Sequence, residues 1–197
     1  MFVKICGINT PAAVAAAVRG GADAVGFVFA ESLRRVSPQQ AAELCRDVPP
    51  EIVRVAVMRH PSAAQWREVR DVFQPDWLQT DVADLAELDL GPDCMPLPVY
   101  RDTQTPTPDD WPSLLLFEGR ASGSGRTADW QMAARVATRT DLILAGGLDA
   151  ANVAAAVTAV APWGVDVSSG VEARPGVKDT EKILDFIARA RAAERPS

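Results

Sequence analysis

Two side chains that can exchange protons lie at the ends of apolar runs, far apart in the chain. Cys6 follows Phe2-Val3-Lys4-Ile5, and Glu118 follows Leu114-Leu115-Leu116-Phe117. A thiolate can remove a proton from carbon and a carboxylic acid can give one to oxygen, so the two residues could serve as general base and general acid. The chain has only one histidine, His60, and proton transfer therefore falls to thiols, carboxylates or lysines.

Each of these residues also has a simpler interpretation. An isolated cysteine is more often a small buried apolar side chain, and it acts as a base only where positive charge favours its thiolate. Lys4 lies two residues before Cys6, hence on the same face of a strand, and could supply that charge. Glu118 could form a surface salt bridge. As an acid it would need a raised pKa, which we expect from an apolar wall that includes Leu116.

Glycine-rich segments after two later apolar runs predict a phosphate site. They are Ala145-Gly146-Gly147-Leu148 and the segment from Asp166 to Glu172, which contains Ser168, Ser169 and Gly170. Backbone N–H groups approach an anion closely where side chains are absent, although each glycine could merely serve a turn with positive φ. A third segment, Ser122-Gly123-Ser124-Gly125, is either a flexible turn or a loop that contacts substrate.

Two arginines, Arg34 and Arg35, follow the second apolar run. An arginine fork binds a planar carboxylate at two points, which a lysine cannot imitate. On position alone, either arginine is equally a solvated loop charge.

Short β-branched runs alternate with Ala-rich stretches of helical period along the whole chain. The predicted strands are Phe2 to Cys6, Ala24 to Phe29, Ile52 to Met58, Trp77 to Thr80, Met95 to Tyr100, Leu114 to Glu118, Leu142 to Ala145 and Gly164 to Ser168. The predicted helices with start signals are Ala12 to Arg19, Gln39 to Asp47, Ala150 to Val160 and a last one from Asp179 to Arg195.

This alternation predicts an α/β fold, a closed (β/α)₈ TIM barrel in a single domain of residues 1–197, rather than an open doubly wound sheet. The segment from Arg101 to Pro112 is polar and rich in proline, so the fifth helix is predicted to be short or missing. A barrel gathers the carboxyl ends of its strands at one mouth, where Cys6, Glu118 and the glycine segments would meet.

Bulk composition limits the partners. Twenty Lys+Arg against 26 Asp+Glu give a net charge of −6, which argues against nucleic acid and against acidic membranes and favours a small-molecule partner. The three cysteines are widely spaced without a CxxC motif, so we expect neither a metal site nor disulfides. With no leader and no run long enough to cross a bilayer, we expect a cytoplasmic protein.

Motifs in a fixed order identify a resemblance. They are Val3-Lys4-Ile5-Cys6-Gly7-Ile8, Gly21 to Phe29 with Ser32 to Pro38, Gly123-Ser124-Gly125 with Asp129-Trp130, Leu144 to Leu148 with Asn152-Val153, and Asp166 to Glu172 with Gly176 to Asp179. On these motifs the chain resembles the phosphoribosylanthranilate isomerase family of tryptophan biosynthesis. The resemblance implies an Amadori rearrangement of a phosphorylated substrate, no cofactor, and a monomer or homodimer.

The resemblance also implies roles for single residues. Cys6 would be the base that removes the C2 proton of the ribose, and Glu118 the acid that protonates the furanose ring oxygen. Arg34 would bind the substrate carboxylate, Asp166 would hydrogen-bond the sugar, and Lys4 would be a further substrate-binding residue. The phosphate would fall to the small residues of three loops, Gly123, Ser124, Gly125, Gly146, Gly147, Ser168, Ser169 and Gly170.

The chain departs from the family pattern in three places. Glutamate replaces aspartate at Glu118, Gln79-Thr80-Asp81-Val82 replaces Gln-Leu-His-Gly, and Val57-Met58-Arg59 replaces Phe-Val-Asn. A barrel that has lost activity and only binds a phosphorylated metabolite is therefore one alternative. A histidine-pathway phosphoribosyl isomerase is another, although that family usually has an aspartate where this chain has Cys6.

Overall fold

A closed barrel of eight parallel strands forms the body of the molecule in a computed structural model that describes residues 1–101, 111–119 and 128–194. The strands are β1 (Phe2–Cys6), β2 (Ala24–Val28), β3 (Val53–Val57), β4 (Trp77–Asp81), β5 (Met95–Arg101), β6 (Leu114–Glu118), β7 (Asp141–Leu144) and β8 (Gly164–Val167). Each strand pairs with the next, and β8 pairs with β1. The predicted TIM barrel and its eight strands are confirmed, with strand ends that differ by at most one residue.

Helices cover the outside of the described barrel. They are α1 (Pro11–Gly20), α2 (Pro38–Leu44), α3 (Ala63–Phe73), α4 (Trp130–Ala137), α5 (Val153–Val160) and α6 (Thr180–Ala192). The start signals of the first two act as predicted, because Thr10 and Ser37 each cap a helix that begins with proline. The prediction of a short or missing fifth helix falls on residues 102–110, outside the described residues.

Three helices are shorter than predicted. Helix α6 spans Thr180–Ala192 rather than Asp179 to Arg195, because the Asp179 side chain caps its start. Helix α2 ends at Leu44 because the next residues tighten into turns with bonds such as Val48 N–H to the Cys45 carbonyl, just before two prolines. Helix α5 begins at Val153 rather than Ala150. The Asp149 carboxylate accepts the backbone N–H groups of residues 151 and 152, which holds a turn ahead of the helix.

The inside of the barrel is apolar through its middle and polar toward the carboxyl ends of the strands. The apolar part is a buried cluster of Leu97, Val99, Leu116, Ile143 and Ala145. At the other end, Lys4 of β1 pairs in register with Asp166 of β8, and both side chains are buried. The fold therefore gathers polar groups at the end where barrel enzymes place their chemistry.

A small hairpin follows β8. It consists of β9 (Glu172–Arg174) and β10 (Val177–Lys178), and Gly176 turns the chain between them with φ +81°. The Asn9 amide donates a hydrogen bond of 3.0 Å to the Gly176 carbonyl, which ties the hairpin to the loop after β1. Among the described residues, no helix has the length and apolar character needed to span a membrane.

Candidate active site

A cavity of about 230 Å³ opens among the carboxyl ends of the strands. The predicted site residues that line it are Cys6, Arg34, Glu118, Gly146, Gly147, Asp166, Ser168 and Ser169. The proposed base and acid therefore share one cavity, as the barrel geometry predicted. Two predicted residues lie in its walls instead, because Lys4 is buried beneath Asp166 and Gly170 packs behind the lining. Ser122, Gly123, Ser124 and Gly125 lie outside the described residues.

Lys4 forms a buried ion pair at the floor of the cavity. Its Nζ donates to Asp166 Oδ1 at 2.6 Å, and its side chain has no exposed surface. Burial disfavours the charge, but Asp166 and the neighbouring Cys6 outweigh this effect and raise the pKa of Lys4. Lys4 therefore stays charged, and it orients the Asp166 carboxylate from below.

Cys6 is held as a thiol in the unliganded site. Burial raises the pKa of Cys6 more than the charges of Lys4 and Lys178 lower it. Lys4 therefore favours the thiolate, as the sequence suggested, but in the resting structure burial outweighs it. The neighbouring strand β2 leaves room for the Cys6 and Lys4 side chains at Gly26, because a Cβ there would lie 3.2 Å from the Cys6 sulfur and 3.2 Å from Lys4 Nζ.

Glu118 faces a charge rather than the apolar wall that we predicted. Arg101, the last residue of β5, reaches Glu118 Oε1 with one guanidinium nitrogen at 3.1 Å and Asp81 Oδ1 with another at 2.5 Å. Leu116 is buried in the apolar cluster below. An opposite charge at this distance favours the carboxylate form of Glu118. The protonated Glu118 that the resemblance requires stays a prediction.

Arg34 is oriented by a buried glutamate. Its Nε and one Nη donate to the two oxygens of Glu172 at 2.6 and 3.0 Å, and Lys178 donates to Glu172 Oε1 at 2.9 Å. Although burial opposes it, these two cations lower the pKa of Glu172 to about 2. A Cβ at Gly7 would lie 2.6 Å from Arg34 Cδ, so the glycine lets this side chain pass. Glu172 occupies one edge of the guanidinium, and the other N–H groups of Arg34 are of a kind that can donate to a carboxylate.

The loops after β7 and β8 form one wall of the cavity. Gly146 and Gly147 have positive φ values of 89° and 65°, and the Asn152 amide fixes their loop with a bond of 2.8 Å to the Gly147 carbonyl. A Cβ at Gly170 would lie 2.0 Å from the Leu148 carbonyl oxygen, so only glycine lets the two loops pack. This wall presents backbone and small side chains to the cavity, which suits an anion.

Several polar residues that line or support the cavity were not predicted from the sequence as functional residues. Gln79 is buried and lines the cavity, and its Oε1 has no hydrogen-bond partner among the residues that the structure describes. Arg101 and Asp81 make the contacts to the acid described above, whereas Glu172 and Lys178 hold Arg34. The sequence did carry a signal for Asp81 and Arg101, because the neighbouring strands β4, β5 and β6 end in charged residues of alternating sign.

One group of described side chains has ligand atoms close enough to hold a metal ion. The atoms of His60, Asp81 and Asp84 lie within 4.8 Å of one another. These groups already have partners, since Asp84 accepts from Thr80 at 2.7 Å and lies 3.0 Å from His60 Nδ1, while Asp81 binds Arg101. His60 thus belongs to a hydrogen-bonded network at the rim of the cavity, in which the carboxylates of Asp81 and Asp84 already have partners.

Comparisons with known proteins agree with this site. Residues 3–189 match the family model described as N-(5'phosphoribosyl)anthranilate (PRA) isomerase. The N-(5'-phosphoribosyl)anthranilate isomerase of Streptococcus gordonii is 41% identical over 96% of this chain and 97% of its own length.

Solved structures give the same result. The phosphoribosyl anthranilate isomerase of Thermus thermophilus superposes with a TM-score of 0.85 at 30% identity, covering 98% of this chain and 100% of its own. A second such isomerase, in complex with reduced 1-(o-carboxyphenylamino)-1-deoxyribulose 5-phosphate, has a TM-score of 0.80 at 30% identity and covers 98% of this chain and 99% of its own. By fold and by sequence, the chain belongs to the phosphoribosylanthranilate isomerase family.

Proposed function

We propose that this chain converts N-(5-phosphoribosyl)anthranilate into 1-(2-carboxyphenylamino)-1-deoxyribulose 5-phosphate, the Amadori rearrangement of tryptophan biosynthesis. The observation that carries the proposal is the shared cavity, which Cys6, Glu118, Arg34 and the small-residue wall all line. A proton donor, a proton acceptor and two anion-binding features are what this aldose-ketose isomerisation requires.

Ring opening is the first step of the proposed mechanism. Glu118 gives a proton to the furanose ring oxygen, the bond from that oxygen to C1 breaks, and the nitrogen lone pair forms the Schiff base. Cys6 then takes the C2 proton, and the electrons of that C–H bond form an enolamine. Tautomerisation of the enolamine gives the ketone. These steps need protons alone, so we propose no cofactor and no metal.

The substrate anions give the reaction its geometry. Arg34, already oriented by Glu172, binds the anthranilate carboxylate with its remaining donors. Asp166, held by Lys4, accepts a hydrogen bond from a sugar hydroxyl. The wall formed by Gly146, Gly147 and the loop after β8 binds the phosphate, together with the predicted contribution of Gly123, Ser124 and Gly125. The sugar is thereby fixed between sulfur and carboxyl group.

The proposed mechanism requires a proton to move from Cys6 to Glu118 before the reaction begins. Burial keeps the proton on Cys6 in the unliganded site and the Arg101 contact favours the carboxylate form of Glu118, whereas the reaction begins from a Cys6 thiolate and a protonated Glu118. Both arrangements have the same net charge, so they are two forms of one coupled pair of titrating groups. The bound phosphate and carboxylate add negative charge near Glu118, which favours its protonated form.

Two variants test the assignment. Cys6→Ala and Glu118→Gln should each lower turnover of N-(5-phosphoribosyl)anthranilate by at least about a hundredfold, the low end for loss of a general base or acid. Matched controls are Cys45→Ala and Glu43→Gln at helix α2, which lie outside the cavity and should keep the wild-type rate. Near-normal turnover in either active-site variant would refute the role assigned to that residue.

Three results separate this proposal from its alternatives. Growth of a host that lacks the isomerase on minimal medium, restored by this chain, supports it. Turnover of the histidine-pathway substrate instead would assign the chain to that pathway. Binding of the reduced product analogue without turnover of N-(5-phosphoribosyl)anthranilate would support the alternative of an inactive barrel that only binds a phosphorylated metabolite.

The proposed partner is a phosphorylated small molecule. We propose a single-domain cytoplasmic enzyme that acts as a monomer or homodimer and engages neither nucleic acid nor membrane. The net charge of −6 supports the last point, because nucleic acids and acidic lipids repel an acidic protein.

A further inference from the structure

Three charged side chains end three neighbouring strands on one side of the cavity. Asp81 is the last residue of β4, Arg101 of β5 and Glu118 of β6, and Arg101 pairs in register with Glu118. The guanidinium reaches Asp81 at 2.5 Å and Glu118 at 3.1 Å, and the side chains are 11%, 17% and 12% exposed in chain order. The Arg101 guanidinium thus contacts two carboxylates in a largely buried position.

We propose that Arg101, held by Asp81, is a positioning residue that fixes the place of the Glu118 carboxyl group and adjusts how readily it takes up its proton. The inference deepens the proposed function and rests on it, since it concerns the acid of the ring opening. Glutamate reaches one methylene further than the aspartate of the family pattern. The contact with Arg101 directs that extra length sideways toward β5.

Asp81 keeps the guanidinium neutralised whichever form Glu118 adopts. With Glu118 ionised, two carboxylates share one guanidinium. With Glu118 protonated, Arg101 and Asp81 remain as a pair, so no charge is left without a partner in a partly buried site. Without Asp81, Arg101 would have Glu118 as its remaining counter-ion among these three and would hold it ionised more firmly. Arg101 therefore favours the ionised form of Glu118, whereas Asp81 favours its protonated form.

Other elements around the cavity contribute fewer charges near Glu118. Within the described residues, the loop after β7 supplies uncharged lining there, Ala145 and Gly146. The other titratable or charged groups that the structure describes at the cavity and its floor are Lys4, Cys6, Glu31, Arg34, Arg59 and Asp166, with His60 and Asp84 beyond Asp81.

A titration of the full chain tests the charge balance without substrate. The ¹³C signal of the Glu118 carboxyl group, assigned by its loss in Glu118→Gln, is followed against pH. Arg101→Gln should raise its midpoint by at least about one pH unit, because a nearby cation is removed. Asp81→Asn should lower the midpoint. Arg59→Gln removes the same charge from the same cavity and should shift the midpoint less than Arg101→Gln.

Kinetics test the positioning role. Arg101→Lys keeps the charge but loses the two-pronged fork, so the Glu118 midpoint should stay near that of the wild type. Its kcat should fall at least about tenfold with KM little changed, since misplacing a reacting group by about 1 Å can cost about a hundredfold. A raised KM with unchanged kcat in both Arg101 variants would mean that Arg101 binds a substrate anion, and would overturn the positioning role.

The outcomes separate this inference from the proposed function. A wild-type protein that does not turn over N-(5-phosphoribosyl)anthranilate would overturn the proposed function, and with it the role of Arg101 in that reaction. An active wild type in which the midpoints do not move, or move in the same direction, would overturn the inference alone. If Arg101→Gln did not fold, the direction in which Asp81→Asn shifts the Glu118 midpoint would still test the inference, because a rise would overturn it.

Discussion

The two sides of the cavity differ in how their charged side chains are paired. On the base side, formed by β1 and β8, Lys4 and Asp166 make one buried pair beneath a neutral thiol. On the acid side, formed by β4 to β6, Asp81, Arg101 and Glu118 make a network of three charged side chains that borders the cavity. The base side thus holds a neutral thiol above one ion pair, whereas the acid side holds its carboxyl group within a network of charges.

This difference explains where the resting proton lies. Burial disfavours a charged thiolate, so Cys6 keeps its proton in spite of two nearby lysines. The guanidinium 3.1 Å from Glu118 has the reverse effect, because it favours the charged form of that carboxyl group. We expect changes on the base side to reduce both stability and activity, and changes on the acid side to alter mainly the protonation of Glu118.

The largest effect should come from the buried lysine. Lys4→Met leaves the Asp166 carboxylate buried without its cation, which should lower the free energy of unfolding by about 3 to 5 kcal/mol. Denaturant unfolding measures this change. The double variant Lys4→Met with Asp166→Asn removes both charges and should regain part of the loss. A single variant as stable as the wild type would show that the base side is not held by this pair.

Glu172 gives the next largest effect, and one that depends on pH. Its folded pKa of about 2 is below the usual 4.5, so its contribution is complete above pH 4.5 and is lost as pH falls toward 2. Glu172→Gln should therefore lower the free energy of unfolding by roughly 3 kcal/mol at neutral pH and by progressively less below pH 4.5.

Unfolding at a series of pH values measures this dependence, and Glu43→Gln, whose ion pair is exposed, is the control. The substrate KM should rise in Glu172→Gln because Arg34 loses its orientation. A stability difference that is the same at pH 7 and pH 3 would contradict the charge interactions assigned to Glu172.

A smaller change on the base side tests its packing. In Gly26→Ala the new methyl group would lie 3.2 Å from both the Cys6 sulfur and Lys4 Nζ. Overpacking of this kind costs about 1 to 3 kcal/mol, and the displaced sulfur should lower kcat. Thermal unfolding and steady-state kinetics measure the two effects. Wild-type values for both would show that the base side tolerates crowding.

The smallest effect is spectroscopic. Because burial raises the pKa of Cys6, the wild type minus Cys6→Ala difference spectrum should show no thiolate absorbance at neutral pH. A thiolate band that already appears at neutral pH would place the resting proton elsewhere and remove the contrast between the two sides.

The fold and the base side could be predicted from sequence because their signals are local. Strand β1 carries both Lys4 and Cys6 at a spacing of two, and β-branched runs bounded by turns mark the other strands. The ends of helices depended on details such as the turn formed by Asp149, which periodicity does not encode.

The acid side could be predicted only in part. Arg101 opens a polar, proline-containing segment, so its residue type indicated a loop rather than the end of a strand. Its partners lie 20 and 17 positions away and meet it only once β4, β5 and β6 are paired. Burial likewise decides the protonation of Cys6, and burial is a property of the packed barrel.

The most direct test of the proposed chemistry is a crystal structure with the reduced product analogue bound. We expect the analogue's phosphate on Gly147 and Ser169 and its carboxylate on Arg34. The Cys6 sulfur should lie against C2 and the Glu118 carboxyl group within about 3 Å of the former ring oxygen. An analogue whose sugar carbons lie beyond the reach of both Cys6 and Glu118 would contradict the assignment of base and acid.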